Sequence, residues 1–393
     1  MADTRIRVAV VGGGIGGLAA ANALRHRDIE VTVHEQAPAL GEVGAGVFLA
    51  PNGARQLQRW GLWDDVVAAG ARLGEGSTYF RQDGTPVAPI LTTDSSGWNA
   101  VFGMHRADLI DILARPLPAE SLLTGHRCTG FEQRDDVARL HFGNGDVVEA
   151  DVVVAADGIH SALRHHVVPP SMPVFSGSVA YRGLVAHESV PEWPTGASRL
   201  WMGEGKHFLV YPVRAGTLIN YVGFVPSDEQ TRESWSAPGD PDALRAAFAG
   251  WDPRVEDLLG QVETTYWWGL YDREPLPTWS AGRLTLLGDA AHPMLPHLGQ
   301  GANQAMEDAA ALATVLAHAD RASAPRALQV YEHVRRERTS AVQRGARENG
   351  LRYDSSYEDL SVRDAEIAAS TEFRRWIYDH DAVTDAEAAI ARL

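Results

Sequence analysis

Short apolar runs and period-two alternation fill the first two thirds of the chain, and helical periodicity takes over in the last third. Residues 6–11 (IRVAVV) are a continuous, largely β-branched run ended by glycine, the pattern of a strand buried on both faces. Residues 18–25 (LAAANALR) predict a helix, and residues 30–34 a second strand, so the chain opens as a βαβ unit. Helical sequence follows over 52–69, short alternating strands over 75–100, a helix over 106–113 and a strand over 147–155. From 174 to 273 the period becomes two, with strands predicted at 178–185, 199–202, 207–213 and 218–225 and short helices at 242–248 and 253–261. A strand at 284–287, a helix at 301–317 and helical sequence from 325 to 393 complete the reading.

These elements predict an α/β (α+β overall) molecule in which a Rossmann-like domain is interrupted by a mixed-sheet domain. Its parts are residues 1–75, 101–173 and 276–345 for the nucleotide-binding domain, 76–100 and 174–275 for the substrate-binding sheet domain, and 346–393 for a C-terminal helical segment.

The turn between the first strand and helix carries the first chemical signal. Gly12, Gly14 and Gly17 fit G-x-G-x-x-G. Gly12 permits the tight turn, Gly14 lets a pyrophosphate approach the backbone, and Gly17 lets helix and strand pack closely. The helix N-terminus then presents unpaired N–H groups to the phosphates. Glu35 ends the second strand about 20 residues on, where an acid accepts ribose hydroxyls. Two further segments lie at strand ends, Asp157-Gly158 and Gly288-Asp289-Ala290-Ala291-His292-Pro293.

Composition narrows the field. The chain has 393 residues, 45% hydrophobic and 22% charged, an ordinary globular balance. A net charge of −16 argues against a nucleic-acid partner, which would need basic patches. Cys128 is the single cysteine, so neither an intrachain disulfide nor a thiolate metal cluster can form. A disulfide reductase would show a cysteine pair and a second glycine turn, and neither is present. No apolar run reaches the roughly 18 residues of a membrane span, and the N-terminus lacks a signal-peptide pattern. A cytoplasmic protein, monomer or homodimer, is the expectation.

With three motifs in order, GGGIGG at 12–17, ADVVVAADGIHSALR at 150–164 and RLTLLGDAAHPMLPHLGQGANQAMEDA at 283–309, the chain resembles the single-component flavin-dependent aromatic hydroxylases, the para-hydroxybenzoate hydroxylase-like family. The salicylate, 3-hydroxybenzoate and 6-hydroxynicotinate hydroxylases are the members it looks most like. The resemblance implies FAD as cofactor, NADH or NADPH as electron donor, O2 as co-substrate and a small aromatic substrate. It implies that Glu35 binds the adenosine ribose, Arg106 the ribityl or pyrophosphate portion, Asp157 and Gly158 the FAD and passing nicotinamide, and Gly288 and Asp289 the ribityl chain. The loop from Pro293 to Asn303 would lie along the isoalloxazine, with backbone N–H groups of Gly299, Gln300, Gly301 and Ala302 near N1 and O2. That last placement also has a physical basis: reduced flavin is negative at that edge, and glycine-rich backbone at a helix N-terminus can donate to it.

On the substrate side, alternation puts residues 207, 209, 211 and 213 of KHFLVYPV on one face, so His207 and Tyr211 are expected to point together into a pocket over the flavin. His207 is a candidate to accept a phenolic proton. His297 and Pro293 on the flavin loop are further candidates to meet the ring. Arg182 and Arg199 are available for a substrate carboxylate. The expected reaction runs through a flavin C4a-hydroperoxide to hydroxylation of a phenolic or hydroxy-heteroaromatic acid. The competing readings are a flavin monooxygenase of larger substrates, an NAD-dependent dehydrogenase and a non-catalytic flavin-binding protein.

Overall fold

The computed structural model describes residues 6–41, 45–134, 136–228 and 237–392. The first five residues, on which the reading of the N-terminus rests, lie outside them.

Apolar strands Arg7–Val11, Glu30–His34, Val152–Ala155 and Leu284–Leu286 form the parallel centre of a six-stranded sheet, with Leu122–Leu123 at one edge and Ser280–Ala281 at the other. Arg7–Val11 lies between Glu30–His34 and Val152–Ala155, both parallel to it. Helices Ile15–Arg25 and Gly301–Leu316 pack against one another over this sheet, and both are buried along most of their length. Crossover connections through helices make a parallel sheet covered on its faces, which is why its strands read as unbroken apolar runs.

Several boundaries differ from the sequence expectation. The strand expected at 147–155 is two strands. Val147–Ala150 closes a three-stranded antiparallel sheet with Cys128–Gln133 and Ala138–Phe142, and Val152–Ala155 joins the parallel sheet. Buried Asp151 sits at the corner, where its Oδ2 accepts the Arg7 backbone N–H at 2.8 Å. The helical stretch at 52–69 breaks into Pro51–Arg59 and Trp63–Ala69 around Gly61, whose φ of +77° no helix interior adopts. The C-terminal stretch divides into Ala324–Asp354, Leu360–Tyr378 and Ala382–Ile390.

The second sheet has eight strands, with Val174–Ala186 and Leu218–Pro226 at its centre. Thr78–Arg81 and Pro86–Pro89 extend it at one edge. Period-two alternation gives it two faces. Phe208, Ile219 and Tyr221 point to a core completed by helices Pro241–Ala247 and Pro253–Gly260. Leu209, Tyr211, Asn220, Val222 and Phe224 point the other way, toward the six-stranded sheet. Pairing of Leu209 with Val222 and of Tyr211 with Asn220 places these residues side by side.

Candidate active site

A cavity of about 310 Å3 runs between the two sheets. One end is the glycine turn. Gly14 lines the cavity, and a Cβ built on it would meet nothing within 4 Å. Gly12 and Gly17 lie behind it. A Cβ on Gly17 would overlap the Gly12 carbonyl oxygen, and Gly12 itself has a φ of +111°. The turn is therefore closed on its protein side and open on its cavity side. Glu35 braces it, accepting from the Gly13 N–H at 2.6 Å and the Ala37 N–H at 2.7 Å.

Farther along, Arg106, Gly158, Gly288 and Asp289 line the walls. Arg106 opens the helix Arg106–Ala114 directly after the strand Phe102–His105, the middle strand of a three-stranded sheet with Gly46–Leu49 and Ala71–Arg72. Asp157 caps the following turn through Oδ2, which accepts from Ala162 N at 2.8 Å, while its Oδ1 is buried with no partner. Burial pushes the Asp157 carboxyl up from the usual range. Asp289 is surrounded by protein yet open to the cavity. Burial raises its pKa, opposed by His292, Arg106 and Arg164. Arg164 ties the two acidic segments together, donating to the carbonyls of Ile159 at 2.8 Å, Asp289 at 2.9 Å and Ala290 at 2.7 Å.

The far end is built by the loop before helix Gly301–Leu316. Gly299, Gln300, Gly301 and Ala302 line it, and Gly299 has a φ of +64°. The Gln300 side-chain oxygen accepts from Asn52 at 3.0 Å and Gln304 at 3.1 Å, and its Nε2 is buried without a partner. Pro293 and Asn303 lie off the cavity and hold the loop instead. The Pro293 carbonyl accepts from Gln343 at 2.9 Å. Asn303 donates to the carbonyls of Phe48 and Gly299, both at 2.9 Å, and accepts from Ala50 N at 2.9 Å.

The substrate-side expectation needs a correction. His207 and Tyr211 share a face, but they line different cavities. Tyr211 faces the main one, edge-on to Phe48 at 4.5 Å, and burial pushes its phenol pKa up, so it remains a donor. His207 faces a side cavity of about 50 Å3, which shares Phe48, Leu209, Phe224, Pro296 and Gly299 with the main one. The reason is the length of the strand: the four residues from His207 to Tyr211 span roughly 13 Å, enough to put Leu209 and its neighbours between the two side chains. The His207 ring stacks on Phe224 at 4.0 Å, and its Nδ1 lies 2.6 Å from Asp354 Oδ1. His297 also faces the side cavity, 5.1 Å from the His207 ring, with its Nδ1 buried and unpartnered. Burial and then His207 lower its pKa well below the usual histidine range, so it is neutral near pH 7.

Arg182 lines the main cavity, 4.1 Å from the Trp268 ring, while Arg199 packs over Trp193 away from it. Burial and then Arg106 push the Arg182 pKa down to about 10, leaving it a cation. Arg106 and Arg182 therefore place two guanidiniums on the wall of the cavity, together with the carboxyl of Asp289.

A glycine cradle with open space, an adjoining cationic wall and unpartnered polar atoms at Asp157 and Gln300 fit a dinucleotide cofactor. The family model described as "FAD binding domain" matches residues 5–346. The chain belongs to this family of FAD-dependent monooxygenases. It is 40% identical to a 3-amino-4-hydroxybenzoate 2-monooxygenase of Streptomyces platensis, covering 97% of this chain and 98% of that protein. It is 37% identical to a 6-hydroxynicotinate 3-monooxygenase of Bordetella bronchiseptica, covering 87% and 91%. A solved salicylate hydroxylase substrate complex superposes with a TM-score of 0.85 at 31% identity, covering 98% of each chain.

Several residues of this flavoenzyme's site gave no sequence signal. Asn220 accepts the Gly46 N–H at 2.8 Å and lines the main cavity. Asp354 and Gly350 come from the long helix Ala324–Asp354, where Gly350 leaves room for the His297 ring. Beneath the loop 293–303, buried Glu307 pairs with Arg335 at 2.6 Å and Arg338 at 2.8 Å. Buried Asp308 pairs with Arg335 at 2.8 Å and His292 at 2.5 Å. The sequence showed only an alanine-rich face there.

Proposed function

We propose that this monooxygenase hydroxylates a small phenolic or hydroxy-heteroaromatic acid. The balanced reaction joins the aromatic C–H compound, O2, NAD(P)H and a proton to give the phenol, water and NAD(P)+. Bound FAD supplies the chemistry, taking hydride from the nicotinamide and activating O2. The chain's own residues bind, orient and move protons around it.

Gly14 and the start of helix Ile15–Arg25 would receive the pyrophosphate, and Glu35, whose carboxylate oxygens retain acceptor capacity, the adenosine ribose. Arg106 and Asp289 would hold the ribityl chain, with Asp157 and Gly158 beside it. Backbone N–H groups of Gly299 to Ala302, at the start of helix Gly301–Leu316, would face the negative edge of the reduced ring. The ring substrate would lie against Leu209, Tyr211, Val222 and Phe224.

The observation that carries the proton-transfer part is the Asp354–His207 pair opening onto the side cavity. A carboxylate on Nδ1 fixes the tautomer that leaves Nε2 free to accept a proton. A substrate hydroxyl reaching that atom would lose its proton to Nε2, and the phenolate would be the more electron-rich ring. Apolar side chains around both cavities exclude water, which would otherwise divert reduced flavin and O2 to hydrogen peroxide.

The test is NAD(P)H oxidation by the FAD-loaded protein with a panel of hydroxybenzoates, aminohydroxybenzoates and hydroxynicotinates, measuring product and hydrogen peroxide together. Hydroxylated product matching NAD(P)H consumed is the expected result for at least one member. No stimulation by any member would remove the aromatic-acid reading.

A further inference from the structure

The side cavity holds a cation that neither the motifs nor the reaction outlined above uses. Arg374, on the helix Leu360–Tyr378, lies beyond residues 5–346 that the family model covers. Its side chain crosses from the C-terminal helix to line the side cavity. Among the described residues its guanidinium donates only to hydroxyls, Tyr79 at 3.2 Å and Tyr378 at 3.4 Å, and it pairs with no carboxylate. Other arginines docking the C-terminal helices onto the body do pair with acids: Arg59 with Asp381, and Arg81 with Asp364.

A second polar group faces the same space. Ser198 is 1% exposed and lines the cavity, and among the described residues its Oγ has no hydrogen-bond partner. Asp354, the carboxylate beside the cavity-lining His207, is already engaged by its Nδ1. The neutral His297 ring adds no negative charge. The cavity is thus a small space, adjoining the main cavity at Leu209 and Phe224, with a guanidinium, a serine hydroxyl and the hydroxyls of Tyr79 and Tyr353 around it and, among the described residues, no acid in its lining. The Arg374 guanidinium is partly buried and held only by hydroxyls, so a ligand oxygen can supply the negative charge that the described residues do not.

We propose that Arg374, with Ser198 and Tyr79, forms a receptor for an anionic oxygen substituent of the aromatic substrate, so that the C-terminal helix selects anionic ring compounds. Two sources of that oxygen fit the volume: a carboxylate, or the phenolate left when His207 takes the hydroxyl proton. The inference rests on the aromatic-acid reading, and it adds a specificity-determining residue on a segment outside the family match.

The test titrates ligands into the FAD-loaded protein and follows perturbation of the flavin absorbance, a binding readout independent of turnover. The ligands are hydroxybenzoates, their carboxamides, their methyl ethers and the doubly neutral methoxybenzamides. Wild-type protein should prefer the anionic members, and Arg374→Met should weaken them roughly tenfold to a hundredfold, the loss of a charge-assisted hydrogen bond. The doubly neutral methoxybenzamides should change little. A loss confined to carboxylates, ethers included, identifies the carboxylate as the held group. A loss confined to ligands with a free hydroxyl, amides included, identifies the phenolate. Ser198→Ala removes a hydroxyl that no protein group uses, so the fold is untouched. It should weaken the same ligands by a smaller factor, about threefold to tenfold.

Wild-type protein that binds no anionic member, or prefers the neutral ones, overturns the inference. So does an equal loss for neutral and anionic ligands in both variants. Anion preference that survives Arg374→Met and disappears in Arg182→Met places the anion in the main cavity and overturns it as well. Product measured on the same samples separates this inference from the function beneath it. Arg374-dependent binding without hydroxylation sinks the hydroxylase reading alone. Hydroxylation with unchanged constants in both variants sinks the receptor alone.

Discussion

Gly14 and Gly17 stand three residues apart and do opposite work. Gly14 faces open space, so a larger side chain there meets only the cofactor. Gly17 faces the Gly12 carbonyl, so a larger side chain there meets the protein. Gly14→Val should therefore give folded protein that purifies without yellow flavin. Gly17→Val should fail at the level of folded, soluble yield. Flavin absorbance against circular dichroism distinguishes the two, and flavin retained in Gly14→Val would place the pyrophosphate elsewhere. At His207 the expected effect is on rate. His207→Gln should lower kcat roughly a hundredfold or more, the range of a lost general base, with flavin content unchanged. Asp354→Asn should cost less, because it disturbs the tautomer without removing Nε2. A His207→Gln enzyme with wild-type kcat would assign the proton to another acceptor.

At the scale of elements, the strand Glu30–His34 ends in a histidine that folding keeps neutral. His34 stacks on Phe142 at 4.7 Å, and its Nδ1 is buried without a partner. Burial, then His126, lowers its pKa from 6.5 to about 4. Above pH 6.5 the residue is neutral in both folded and unfolded chains and costs nothing. As pH falls from 6.5 toward 4, the unfolded chain takes up a proton that the folded chain refuses, so stability is lost across that window. The thermal midpoint should fall between pH 7.5 and 5. The fall should be smaller in His34→Phe, which preserves the stack and removes the titration. Parallel declines in the two proteins would show that His34 does not contribute. This element was legible from its apolar alternation, but the environment of its last residue was not. The three-stranded sheet that supplies Phe142 is a neighbour that no local pattern names.

For the whole molecule, the question is what closes the substrate end. Helices Leu360–Tyr378 and Ala382–Ile390 are docked by Arg55, which donates to the carbonyls of His380 at 2.7 Å and Tyr378 at 3.3 Å and pairs with Asp94 at 3.1 Å. Arg55→Ala should loosen this docking next to the helix that carries Arg374. The expected outcome is a larger share of NAD(P)H ending as hydrogen peroxide, with FAD content unchanged, because water then reaches the side cavity. Coupling equal to wild type would show that these helices do not enclose the site. Among the described residues no helix is long and apolar enough to cross a membrane.

The sequence by itself determined the strand, turn and helix of the cofactor cradle, and the order of the three flavin segments. Those features are local. A glycine is required where a Cβ would strike a carbonyl a few residues away, and a buried parallel strand must be apolar on both faces. It also determined that His207 and Tyr211 share a face, because alternation follows from the pleat. Only the tertiary structure decided that they open into separate cavities, that Asp354 holds His207 and that Arg164 joins two motifs. The same holds for the arrival of Arg374 from the C-terminal helix without an acid. The His207–Asp354 contact is 147 residues apart in sequence. Periodicity states which way a side chain points. What it meets depends on how distant segments close on one another, and that information is carried by packing rather than by any local pattern.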